Sequence, residues 1–192
     1  MKYERIYLEM LMSINNKVGR EFTQQALAKA CDLSISTVNH ALKPLEKMGA
    51  IQKRSKSFTV IQPKKLLIYW SCMHKVPVTY KVYSPKRTSV IESEMPEGLF
   101  TCYSGARLYH DIDAADYSEV YIYADPKMVE ERFPFNKREK RFNIFCLQHD
   151  PYLSKYKQTP LPLIYADLWN MDTWYANEFL KQAEVRLNAI LE

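Results

Sequence analysis

The chain has 192 residues, 47% of them hydrophobic and 26% charged, with a formal net charge of +5. That length suits two small domains. It contains no run of about 18 apolar residues that would span a membrane and no signal-peptide pattern at its start, so a cytoplasmic protein with no membrane contact is expected.

Residues 6, 7, 10, 11 and 14 (Ile6, Tyr7, Met10, Leu11, Ile14) recur at helical spacing and predict a first amphipathic helix. Residues 22–59 then read as a helix, a tight turn, a second helix and a basic β-hairpin. Thr23 has the hydroxyl of an N-cap. Ala26, Leu27 and Ala30 give the following helix an apolar stripe, and Cys31-Asp32-Leu33 breaks it over three residues, as a helix-turn-helix corner does. Ser34 or Ser36 caps the next helix, in which Val38, Leu42 and Leu45 share one face with Ala41 beside them. Gly49 is placed to end it in the left-handed conformation. Pro44 disagrees with this pattern. In a helix interior it removes a donor and costs about 3 kcal/mol, so a bend there, or a start nearer Thr37, is expected.

Residues 50–61 alternate loosely around polar residues 53–57 and predict the wing of a winged helix-turn-helix. The outward face of the second helix carries Ser36, Thr37, Asn39, His40 and Lys43, and the wing carries Lys53, Arg54 and Lys56. With the capping Ser34, these are the candidate contacts to base edges and phosphates of double-stranded DNA. Charge agrees. Residues 1–62 hold ten Lys and Arg against five acids, while the remainder holds 17 of each. The whole net charge therefore lies on the stretch that would meet phosphate.

Residues 63–75 form a junction, with an apolar helix over 66–70. Beyond it the texture changes. Val78, Tyr80 and Val82 alternate as a strand, residues 89–92 do so more weakly, and residues 99–103 lead into a turn and helix over 104–110. Residues 119–124 predict a strand. Asp125-Pro126 opens a helix to Arg132, and residues 142–147 form another strand. Residues 163–166 form a short buried segment. Asp172 or Thr173 caps a last helix whose apolar set is Ala176, Phe179, Leu180, Ala183, Leu187, Ile190 and Leu191. Strands alternating with helices predict an α+β protein: a winged helix-turn-helix over 1–62, a junction over 63–75 and a mixed α/β domain over 76–192 for dimerisation, effector or partner binding.

Chemistry-bearing motifs are few. Cys31, Cys72, Cys102 and Cys146 lie far apart with no C-x-x-C pair. This predicts reduced thiols rather than a zinc site with His74, His110 or His149. The four glycines make no phosphate-cradling loop. Ser104-Gly105 followed by Asp111 and Asp113 resembles the glycine turn and paired carboxylates that hold metal in nucleotidyltransferases, but the pair is not on a strand. The run 137–141 (Lys137, Arg138, Glu139, Lys140, Arg141) reads as a solvated loop, with nucleic acid or an acidic partner as the alternative.

The layout resembles the AbiEi-type antitoxin and regulator family of type IV toxin–antitoxin systems. The resemblance lies in the winged helix, the junction 63–70, the segment 103–109 before the 119–124 strand, and residues 165–170 with the following helix. It implies a DNA-binding domain that represses its own operon and a C-terminal domain with a degenerate nucleotidyltransferase-like fold and no catalysis. The expected protein is a homodimeric, non-enzymatic regulator without cofactor or metal, with a toxin as a further partner. The alternative is a nucleotidyltransferase-like enzyme with a winged-helix accessory domain, in which Asp111 and Asp113 hold the metal.

Overall fold

A computed structural model describes residues 2–191 of the protein, with side chains described as far as Asn188. The chain divides into two compact units. One comprises the residues up to His74 together with those from Glu184 on, and the other is Lys75–Ala183. The fold is α+β.

In the first unit, α1 (Lys2–Asn15), α2 (Gln24–Cys31), α3 (Ile35–Lys47) and α4 (Pro63–Met73) accompany a three-stranded sheet. Its strands are β1 (Glu21–Phe22), β2 (Ile51–Lys53) and β3 (Phe58–Val60), with β3 central and both pairings antiparallel. α1 buries the five residues that its periodicity marks, and Leu8 with them. The Tyr7 hydroxyl donates to the Ala41 carbonyl at 3.1 Å and ties α1 to α3. On the other side Trp70 of α4, 1% exposed, donates its indole N–H to Glu4 of α1 at 3.1 Å. The same carboxylate meets His74 Nδ1.

Each of the first three helices ends the same way. Lys17, Asp32 and Gly49 adopt φ of 56°, 55° and 71°, and the next residue's N–H reaches back to Ser13, Ala28 and Leu45 respectively. This left-handed closure satisfies the last carbonyls. Ser34 caps α3, so the helix does not start nearer Thr37 as Pro44 suggested. α3 runs through Pro44, which stands one turn from its end, and the His40 carbonyl that loses its amide donor belongs to an exposed residue. The expected apolar stripe of α2 is corrected. Ala26 and Ala30 are exposed, while Leu27, Ala28 and Cys31 are buried. Cys31 acts as a small apolar side chain here and belongs to the helix rather than to the turn.

The second unit is built on a four-stranded sheet, order β4-β7-β6-β5. β4 is Val78–Val82, β5 Gly98–Thr101, β6 Val120–Ala124 and β7 Ile144–Gln148. α5 (Thr88–Glu94) and α6 (Cys102–His110) flank β5 in sequence, and α7 (Pro126–Arg132) joins β6 to its parallel neighbour β7. The other two pairings are antiparallel. One sheet face packs Val120, Ile122, Ile144 and Cys146 with Ile91 of α5 and Val129 of α7. α6 and α8 (Leu161–Trp169) hold the opposite side. There Asp167, fully buried, accepts from Thr101 Oγ1 and from the Tyr123 hydroxyl at 2.8 Å. α9 (Trp174–Leu191) ends the chain. Ala176, Phe179, Ala183 and Leu187 are buried on it as expected, Leu180 is only half-buried, and the Ile190 and Leu191 side chains lie outside those described.

Three expectations in this unit are corrected. Residues 89–92 are helical, because only Ile91 turns inward and a single inward residue fits either period. Residues 163–166 belong to a full helix, buried from Leu161 to Leu168. Ser104-Gly105 is no turn: β5 passes straight into α6, and Gly105 is buried inside that helix. A Cβ at Gly105 would stand 2.6 Å from the Phe100 carbonyl oxygen, a backbone atom that cannot step aside. Gly105→Ala is therefore expected to destabilise the protein by about 1–3 kcal/mol despite alanine's better helix propensity; a denaturant midpoint at or above the parent's would refute this packing.

Candidate nucleic-acid interface

The outward face of α3 follows from its inward one. With Val38, Ala41, Leu42 and Leu45 buried, the 3.6-residue repeat turns Ser36, Asn39, His40 and Lys43 outward. Ser36, His40 and Lys43 are exposed, and Asn39 is half-buried. Ser34 and Thr37 are engaged with each other. The Ser34 hydroxyl oxygen accepts the Thr37 N–H at 3.1 Å, and the two hydroxyls lie 2.8 Å apart. Their first task is to start the helix, which fixes where the outward side chains stand.

The wing is a short hairpin closed by the Arg54 N–H donating to the Ser57 carbonyl at 2.7 Å. β1 braces it. Phe22 stacks on Phe58 with centroids 5.8 Å apart, and the Ser57 hydroxyl donates to Glu21 at 2.6 Å. Arg54 and Lys56 are exposed at its tip. Lys53 is held differently. Its ammonium pairs with Glu46 of α3 at 2.6 Å, so it also ties the wing to the second helix.

A cleft of about 520 Å³ opens between these parts. Thr23, Gln24 and Gln25 line it from the start of α2, Ile35 from the start of α3, and residues 53–58 from the wing. Thr23 Oγ1 accepts the Ala26 N–H. Helix N-termini present N–H groups and a positive dipole end to anions, and here one stands beside Lys53, Arg54 and Lys56. Sequence reasoning missed Gln24, Gln25, Ile35, Ser55 and Ser57. Ile35, 52% exposed, carried a usable signal: an apolar residue just after a helix cap, on the polar side, suits a thymine methyl in the major groove.

The carboxylates singled out in the second unit do not form a comparable site. Asp111 sits at φ 50° and closes α6, with the Ile112 N–H donating to the Ala106 carbonyl at 3.1 Å. Ile112 is fully buried and anchors the segment, and Asp111 and Asp113 flank it on the exposed side. Among the described residues no three His, Cys, Asp or Glu side chains gather as a metal site. Burial, with Asp167 nearby, pushes the Cys102 thiol well above its usual range. No helix among those described is long and apolar enough to cross a membrane.

Residues 7–68 match the family model of the Crp-like helix-turn-helix domain. That span runs from within α1 to within α4 and includes α2, α3 and both wing strands, so this part of the first unit is a winged helix-turn-helix of the DNA-binding kind. No curated protein and no solved structure matches the chain.

Proposed function

We propose that the protein is a transcriptional regulator that binds an operator with its N-terminal unit and represses the operon that encodes it. The observation that carries the reading is the shared cleft. The starts of two helices and a basic wing converge on one opening, in a stretch that holds the chain's entire net charge. In this reading Ser36, Asn39, His40, Lys43 and Ile35 meet base edges. Arg54 and Lys56 meet phosphates, and Lys53 meets them on leaving Glu46. Ser34 and Thr37 set the helix start. One short helix reads few base pairs, so the protein acts as a homodimer on an inverted repeat with half-sites about 34–36 Å apart. This work belongs in the cytoplasm.

The resemblance to AbiEi-type antitoxins supports an antitoxin role, with the second unit pairing with a toxin or a second copy, and a degenerate nucleotidyltransferase-like origin for that unit. The enzymatic alternative is not favoured, because Asp111 and Asp113 follow the end of α6 and neither lies on a strand.

Selection of duplexes from a random pool tests the reading directly. Asn39→Ala is expected to cost about 1–3 kcal/mol on the selected duplex and to relax preference at particular bases. Arg54→Ala should weaken all duplexes alike and reduce the salt slope by about 1. Parent-like binding by both variants across salt would end the proposal.

A further inference from the structure

We infer that the Lys75–Ala183 unit carries a second nucleic-acid contact, a pair of basic loops that holds the phosphate backbone of duplex DNA outside the site read by α3. The inference rests on the DNA-reading role proposed above.

Topology brings the loops together. β4 and β7 are antiparallel neighbours, so the end of β4 meets the start of β7. Asn143 staples them: its amide donates to the Ser84 carbonyl at 2.9 Å, and the Ser84 N–H donates to its Oδ1 at 2.8 Å. Residues 81–87 and 134–143 thus lie together at this end of the sheet. Two of their cations are answered by acids, Lys86 by Glu94 at 2.5 Å and Arg141 by Glu139 at 3.0 Å. Lys81, Arg87, Lys137, Arg138 and Lys140 have no ion pair among the described residues, and all five are exposed. Of the further acids, Glu130 of α7 acts on Tyr80 of β4, and Glu119, before β6, takes the Tyr175 hydroxyl on its carboxylate. Since residues 63–192 are neutral in total, this excess is a concentration of charge rather than a general bias.

The surface is also ordered by its rings. The Arg141 guanidinium lies over Tyr83 at 4.5 Å and the Lys81 ammonium over Phe142 at 4.3 Å. A cation over a ring keeps its charge while losing freedom, so part of the ordering cost of meeting a polyanion is already met. Exposed cations without an ion pair release counterions when they meet phosphates. Duplex DNA is favoured over an anionic lipid surface because Phe135 is the one exposed large apolar side chain in these loops among the described residues. It is favoured over an acidic protein because the same chain carries a DNA-binding domain. Once that domain is bound, the loops are tethered to the same duplex through one chain, which raises their effective concentration.

The test uses the full-length protein and a long random-sequence duplex, with affinity measured by fluorescence anisotropy across a salt series. The combined variant Lys137→Ala, Arg138→Ala, Lys140→Ala is expected to bind about ten-fold or more weakly at low salt. Its slope of log affinity against log salt should be shallower by about 2–3, since each phosphate contact contributes about 0.9. Its melting temperature should match the parent's, and Arg138→Lys should keep the slope. A parallel variant, Arg54→Ala with Lys56→Ala, separates the two readings. If that wing variant weakens binding and the loop variant keeps the parent's slope, the inference falls and the DNA-reading role stands. If the loop variant alone weakens binding, the inference stands and the wing's role falls. If the parent binds no duplex, both fall.

Discussion

Replacing Trp70 with alanine is expected to destabilise the N-terminal unit by about 3–5 kcal/mol, the usual cost of emptying a fully buried aromatic site. Trp70 is among the largest side chains that are fully buried, at 1% exposure. It fills the space between α4 and α1 and packs edge-on against His74 with ring centroids 6.0 Å apart. Its N–H also holds the Glu4 carboxylate, on which His74 converges. Alanine therefore leaves a cavity and withdraws a donor from a half-buried carboxylate. A typical domain has about 5–15 kcal/mol in total, so the unit would be left marginal and duplex affinity should fall with it. Trp70→Phe keeps most of the apolar contact and loses the N–H with part of the ring volume, so its cost should be smaller, near 1–2 kcal/mol. The check is chemical denaturation followed by backbone hydrogen exchange in α1 and α3. A midpoint within error of the parent's in the alanine variant would show that the α1–α4 contact is not what holds the unit.

Alkaline pH should unfold the protein well before its backbone is attacked, because several tyrosines are folded in the neutral state. Tyr103 is fully buried, and burial is the main cause that lifts its hydroxyl far above the usual tyrosine range, against a smaller downward pull from its hydrogen bond to Thr173. Tyr7 is raised chiefly by burial and next by its neighbour Tyr69. Tyr117 and Tyr121 move in the same direction, again with burial first. The unfolded chain releases these protons near pH 10 while the folded one retains them. A folded-state value above the unfolded one means that stability is whole below about pH 10 and is lost as pH rises beyond it. Each such tyrosine costs about 1.4 kcal/mol per pH unit in that window. Denaturant titrations at pH values on either side of 10 measure the slope. Tyr103→Phe should be shallower by one proton; an identical slope would mean that Tyr103 ionises as freely in the folded state as in the unfolded.

The parts of the fold legible in the sequence were those fixed by local physics. Thr23 and Ser34 bond to amides three residues on, Gly49 takes the left-handed closure, and Asp125 caps α7. Each involves residues within a few positions of one another, so type and spacing suffice. The wing was legible for the same reason, but β1 was not. Two residues, Glu21 and Phe22, carry no periodicity, and they become a strand only because β3 offers its edge. Residues 89–92 show the other failure, since four residues cannot separate a period of 2 from one of 3.6. The outward face of α3 was readable from its buried stripe. The cleft was not, because Gln24 and Gln25 join Ser55 and Ser57 only through the tertiary fold. Gly105 misled most. A glycine beside a serine suggests a turn, whereas its function is to let α6 press against the backbone of β5.

α9 begins in the Lys75–Ala183 unit and finishes, from Glu184 on, in the unit that starts the chain. There Glu184 pairs with Lys64 of α4 at 2.8 Å. The DNA-reading unit is therefore not a single stretch of coding sequence. A gene fragment ending after α4 would encode the part that the family match covers and omit the helical turns that complete the body. Domain swaps, fusions and truncations designed on contiguous boundaries would separate Glu184 from Lys64, and a fragment that holds the whole compact unit joins two separated stretches of the gene.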